Sequence, residues 1–117
     1  MPIHKIAHLT SVHPRYDTRI FLKMCTSLAN DPKYKVYLLV ADDLPYEEKN
    51  GVTIVSVGKT TGGRLFRMTR TVSRVYQKAM ELDCDVYHLH DPELIPIGLR
   101  LKKHGKKVIF DSHEDVP

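Results

Sequence analysis

The chain is 117 residues long, carries a formal net charge of +4, and is 42% apolar and 27% charged. That is the length of one domain and the composition of ordinary globular protein, which excludes a disordered chain. The mild positive charge permits an anionic partner such as a phosphate, a nucleotide or a lipid head group without demanding one, and no nucleic-acid partner is expected.

No unbroken apolar run is long enough to span a membrane. The opening Met1-Pro2-Ile3-His4-Lys5 lacks the apolar core of a secretion signal. Cys25 and Cys84 are too few and too far apart for a zinc or redox motif. A cytoplasmic location is expected.

The first apolar run, Lys5–Leu9, reads as a strand. After the loop Thr10–Tyr16, Asp17 is placed to cap a helix over Thr18–Asn30. Ile20, Phe21, Met24, Cys25 and Leu28 form its apolar face, and Asn30-Asp31-Pro32 ends it. Lys35–Val40 is a second strand, whose continuous apolar run suits burial on both faces. The acidic, polar stretch Ala41–Gly51 reads as a loop, Val52–Val57 as a third strand, and Gly58–Gly63 as a linker. The direction of the third strand is open.

A long helix is expected over Arg64–Leu82, with Leu65, Met68, Val72, Val75, Tyr76, Ala79 and Leu82 as one apolar stripe. Arg67, Arg70, Arg74 and Lys78 form a basic stripe opposite it, either a solvated face or a contact with anionic lipid. Val86–Leu89 is a fourth strand. A third helix follows, starting either at Pro92 behind an Asp91 cap or near Pro96, and stopping at Gly105. Lys107–Asp111 is the fifth strand.

Strands alternating with helices argue for an α/β fold. We expect a Rossmann-like, open, mostly parallel five-stranded sheet with helices on both faces. Numbering strands along the chain, the expected spatial order is 3-2-1-4-5. Ligands of such sheets bind outside the strand carboxyl ends. Three strands here run out into polar clusters: Thr10-Ser11-Val12-His13, His90-Asp91-Pro92-Glu93, and Asp111-Ser112-His113-Glu114-Asp115. One shared site is therefore expected, with Ser11, His13, Arg15, Arg19, His90, Asp91, Glu93, His113 and Glu114 as candidates.

The chemistry of these residues leaves alternatives. His88 and His90 alternate onto one face, and with His113 they make a possible metal set. For His88 the favoured reading is a hydrogen-bonded core residue, with only His90 facing the crevice. Asp91 is either a helix cap or a ligand wall. Arg15 and Arg19 could clamp a phosphate. The loop Ser11–Asp17 contains no glycine, so a dinucleotide fingerprint is absent and no NAD or FAD is expected.

Taken together, His8-Leu9-Thr10-Ser11, Asp17-Thr18-Arg19-Ile20, Ser27-Leu28-Ala29, Val86-Tyr87-His88-Leu89-His90-Asp91 and Phe110-Asp111-Ser112-His113-Glu114 resemble the N-terminal domain of a GT-B glycosyltransferase of family 4. The resemblance covers essentially the whole chain. It implies an acceptor-binding Rossmann-like domain, partnered in the enzyme by a C-terminal donor domain with a paired-glutamate motif that these 117 residues do not contain. The implied reaction transfers a sugar from a nucleotide sugar to an acceptor hydroxyl with retention, needing neither metal nor cofactor. A carbohydrate or lipid-linked acceptor is implied, in polysaccharide or glycolipid synthesis, with an anionic inner membrane surface as a possible partner. His113 matches the family histidine of the sugar pocket, and His90 and Asp91 match the acceptor-side wall. The first loop departs from the family's frequent glycine-rich form. The runner-up is a metal-dependent hydrolase using His88, His90 and His113. A receiver-like domain lacks support, because neither His8–Ser11 nor Ser56-Val57-Gly58 supplies the acidic residues it needs.

Overall fold

A computed structural model describes residues 4–60 and 62–111. The sheet has six strands: β1 (His4–Leu9), β2 (Tyr34–Val40), β3 (Glu47–Lys49), β4 (Val52–Ser56), β5 (Val86–Leu89) and β6 (Lys107–Phe110). Their order is β3-β4-β2-β1-β5-β6. All neighbours are parallel except β3 and β4. The five expected strands therefore lie in the expected order, and the third expected strand, here β4, runs parallel to β2.

The sixth strand corrects the reading of Ala41–Gly51 as loop. Glu47–Lys49 pairs antiparallel with β4, with Lys49 opposite Val52. The turn between them is Asn50-Gly51, with φ of 54° and 79°. Both residues sit in the left-handed region that a two-residue hairpin turn requires, which Asn and Gly tolerate best.

Helices cover both faces. Helix α1 begins behind Asp17, whose side chain accepts from the Arg19 and Ile20 amides at 2.9 Å. Its first part, Thr18–Cys25, has π geometry, and Thr26–Ala29 closes it as an α turn. The Thr26 amide and hydroxyl both donate to the Phe21 carbonyl five residues back, which holds the wide turn open. Ile20, Phe21 and Cys25 pack on Val36, Leu38, Val40, Val52 and Ile54. On the other face lie α2 (Arg64–Leu82) and α3 (Ile95–Lys103). Val75, Ala79, Ile97 and Leu101 pack there on Ala7, Leu9, Leu39, Tyr87 and Leu89.

Two local features differ from expectation. Only the C-terminal half of α2 lies on the sheet. Leu65 is 74% exposed and Met68 38%, so the apolar stripe overruns the edge it was expected to cover. The chain after β5 makes a 3-10 turn, Pro92–Leu94, before α3. Pro96 therefore falls in the first turn of α3, where a missing N–H breaks no helical bond. Both cysteines are buried, and burial pushes the thiols up, Cys25 to about 12 and Cys84 to about 11. Neither suits nucleophilic work.

Candidate functional site at the strand carboxyl edge

β1 is the central strand and pairs with β2 on one side and β5 on the other. The connections leaving β1 and β5 diverge to opposite faces there, which is the switch point of the fold. Asp91 closes this point. Only 2% exposed, it accepts from the Thr10 hydroxyl at 2.7 Å and the Ser11 amide at 2.8 Å. His13 Nε2 lies 3.1 Å from its other oxygen. The side chain of Asp91 makes no helix cap. Its carboxylate instead ties the β5 exit to the β1 exit, so the capping reading is corrected.

Arg15 is the second tie. It is 3% exposed. It donates to both Asp42 oxygens at 2.7 and 2.8 Å, to Glu47 at 3.3 Å, and to the carbonyls of Leu44 and Pro45 at 3.1 and 2.9 Å. Those contacts occupy the guanidinium fork, so Arg15 is no phosphate clamp; it pins the β1 loop to the segment leading into β3. The guanidinium holds the Asp42 carboxyl below its usual range. Glu47 is likewise held low, first by the Tyr16 hydroxyl and then by Arg15.

A row of side chains crosses the α1 face of the sheet at one level: Leu38, His8, His88 and Ile109. His90 follows one pair higher on the face shared with His88. His8 and His90 are buried. His8 Nδ1 lies 2.8 Å from His90 Nε2, with the rings 17° from parallel. His88 packs 4.5 Å from the His90 ring centroid, and its Nε2 lies 3.5 Å from Asp111. Burial, helped by His88 and opposed by Asp111, pushes the His8 imidazole down to about 3. His8 is therefore neutral at pH 7.

Three imidazoles together raise the question of a metal. Their nearest nitrogens lie within 4.8 Å of one another. Two ligands of a tetrahedral zinc stand about 3.3 Å apart, given Zn–N distances of roughly 2.0–2.1 Å. The His8–His90 contact is closer than that and is a hydrogen bond. A metal would have to open it.

The second feature is a crevice of about 410 Å³ above the carboxyl ends of β1, β2, β4 and β5. Ser11 and Val12, following β1, line it. Lys59 and Thr60, following β4, and Arg64, Arg67 and Thr71 on the overhanging turns of α2 also line it. Glu93 of the 3-10 turn completes it. The Thr60 hydroxyl bonds the Arg67 carbonyl at 3.1 Å and Thr71 at 2.9 Å, which fixes the segment after β4 to α2.

Of the expected residues, Ser11 and Glu93 line the crevice. Asp91 is buried and ties Ser11 of the lining to the β5 exit, while His90 is buried on the α1 face beside His8. His13 bridges Asp91 and Asp17. Arg19 is exposed and reaches Asp111 at 3.3 Å. His113 and Glu114 lie outside the described residues. Sequence reasoning missed His8, Lys59 and Arg64. A signal for His8 existed: it stands in phase with the apolar positions of its strand. The basic stripe divides, because Arg67 turns to the crevice, Arg70 stacks 5.3 Å from the Phe66 ring, and Lys78 pairs with Glu81 at 2.7 Å.

No family model matches the chain, and no curated protein matches it. Among solved structures it is similar to two fragments of the C-terminal domain of a hydrogenase from Pyrococcus furiosus. Against the first the TM-score is 0.63 at 15% identity, covering 95% of this chain and 93% of that one. Against the second it is 0.57 at 15% identity, covering 95% of each. At that identity the likeness carries the fold alone, and the fold is an open, mostly parallel α/β sheet of the Rossmann-like kind.

Proposed function

We propose that the chain is the acceptor-side domain of a retaining GT-B glycosyltransferase of family 4. The observation that carries the reading is the crevice at the strand carboxyl ends, where Ser11 and Glu93 gather over a rigid floor tied by Asp91. Its volume falls in the range of small-molecule sites. The motifs around His8–Ser11 and His88–Asp91 support it, since their Thr10, Ser11 and Asp91 build that floor. In this reading the nucleotide sugar is held mainly by a donor domain with paired glutamates. This domain binds and orients the acceptor, and Glu93 and Ser11 offer hydrogen bonds to its hydroxyls. His113 and Glu114, by their place in the sequence, belong to the sugar pocket. The enzyme works in the cytoplasm, at the inner membrane face when its acceptor is lipid-linked.

The metal-dependent hydrolase using His88, His90 and His113 is the second reading, and the clustering of His8, His88 and His90 favours it. The tight His8–His90 hydrogen bond counts against it.

Release of nucleoside diphosphate from nucleotide sugars tests both. The product of a reading frame joining this chain to a paired-glutamate domain should turn over, and the 117-residue chain alone should not. Turnover by the chain alone would overturn the division of labour. Stoichiometric zinc, lost in His90→Ala, would move the assignment to the hydrolase.

A further inference from the structure

Three cations line the crevice. Lys59 follows β4, and Arg64 and Arg67 stand on successive turns of the overhanging end of α2. Among the described residues none of the three is paired with a carboxylate. The only carboxylate on the lining, among the described residues, is Glu93, on the turn after β5. The position of the arginines is unfavourable for the helix itself. The first turn of α2 holds no acidic residue, and Gly63 gives it no side-chain cap. Cations there oppose the helix dipole, which favours negative charge at that end. The placement lowers the stability of the free chain and suits an anion in the crevice.

We propose that the crevice binds a phosphate or diphosphate ester, held by Lys59, Arg64 and Arg67, with the ester's sugar hydroxyls directed to Ser11 and Glu93. Arginine forks match phosphate oxygens in two-point contact. The carboxylate of Glu93 repels phosphate but accepts from a hydroxyl, so the cations and the carboxylate favour different parts of one ligand. The inference rests on the glycosyltransferase reading only in naming this ligand the acceptor. The phosphate could belong to a lipid-anchored ester or to a soluble sugar phosphate. Val12 on the lining is 66% exposed and Met68 38%, apolar surface against which the chain of an anchored ester would lie.

Amide chemical shifts of the 117-residue chain test this, with inorganic diphosphate, geranyl diphosphate, a hexose phosphate and an uncharged methyl glycoside as probes. The phosphates should bind saturably, shift Lys59 and Arg64, and weaken as salt rises. The methyl glycoside alone should not bind measurably. The double variant Arg64→Gln, Arg67→Gln should lose about tenfold or more in affinity, since it removes charged hydrogen bonds. Lys78→Gln, outside the crevice, should change nothing. Much tighter binding of geranyl diphosphate than of inorganic diphosphate assigns an anchored ester, and equal binding assigns a soluble one. Undiminished phosphate binding in the double variant, or shifts centred on Arg74 and Lys78, would overturn the proposal. If sugar transfer is later found without phosphate binding here, this inference fails and the glycosyltransferase reading stands. If phosphate binds here and the joined enzyme transfers no sugar, the inference stands and the glycosyltransferase reading fails.

Discussion

Lowering the pH from 7 to 5 should destabilise the fold by about 2 kcal/mol through one residue, His8. Its imidazole is held at about 3 by burial, against an ordinary value of 6.5. The unfolded chain therefore takes up a proton near pH 6.5, and the folded chain does not until near pH 3. The depressed folded value fixes the sign: stability is fully present above pH 6.5 and is lost as pH falls toward 3. Each pH unit inside that window costs close to 1.4 kcal/mol. His88, His90 and Asp111 face the same group, and His88 adds to the depression while Asp111 opposes it. Urea unfolding at pH 7, 6 and 5, followed by circular dichroism, gives the slope. His8→Leu shifts stability at pH 7 by an amount set by packing and by the lost bond to His90, but it should remove most of the His8 slope. Equal slopes for wild type and variant between pH 7 and 5 would refute the argument.

Arg15→Met should cost about 3 kcal/mol, because it leaves Asp42 without its partner and breaks the tie to the segment before β3; a urea midpoint within error of wild type would contradict this. Gly98→Ala places a Cβ 2.5 Å from Leu89 Cδ1 and 3.3 Å from Val108. Overpacking should outweigh the gain in helix propensity, for a net loss of about 1 kcal/mol, and a raised melting temperature would show α3 free to move. Asp91→Ala should cost about 2 kcal/mol and speed hydrogen exchange at the Ser11 amide, which donates to Asp91; unchanged exchange would mean the β1 exit is held by other contacts.

Most of the sheet was legible because buried parallel strands are apolar runs, and four crossovers leave few ways to order them. β3 was not, since Glu47-Glu48-Lys49 carries no apolar pattern. Its pairing is decided by Asn50-Gly51, a turn signal present in the sequence, and by Arg15. The apolar period of α2 gave its buried side correctly at Val75 and Ala79. Periodicity does not say where a sheet ends, so Leu65 and Met68 were misplaced. Two of the three polar exits meet, through Ser11, Asp91 and Glu93, and of the third only Asp111 lies among the described residues. Whether a convergent residue meets ligand or structure depends on partners far along the chain, such as Asp42 for Arg15. The role of His8 needed the strand register that sets it beside His88.

The central place of β1 also shapes how the fold is reached. Its first partner, β2, begins at Tyr34, but its second, β5, begins only at Val86. During synthesis the half built from β1 to β4 can assemble first. β1 then stands as a temporary edge, with a row of unpaired backbone groups open to other chains. Parallel pairing across so many residues is slow to form. The late arrival of β5 therefore sets the interval in which this protein is most exposed to misassembly, since only β5 closes that edge of β1.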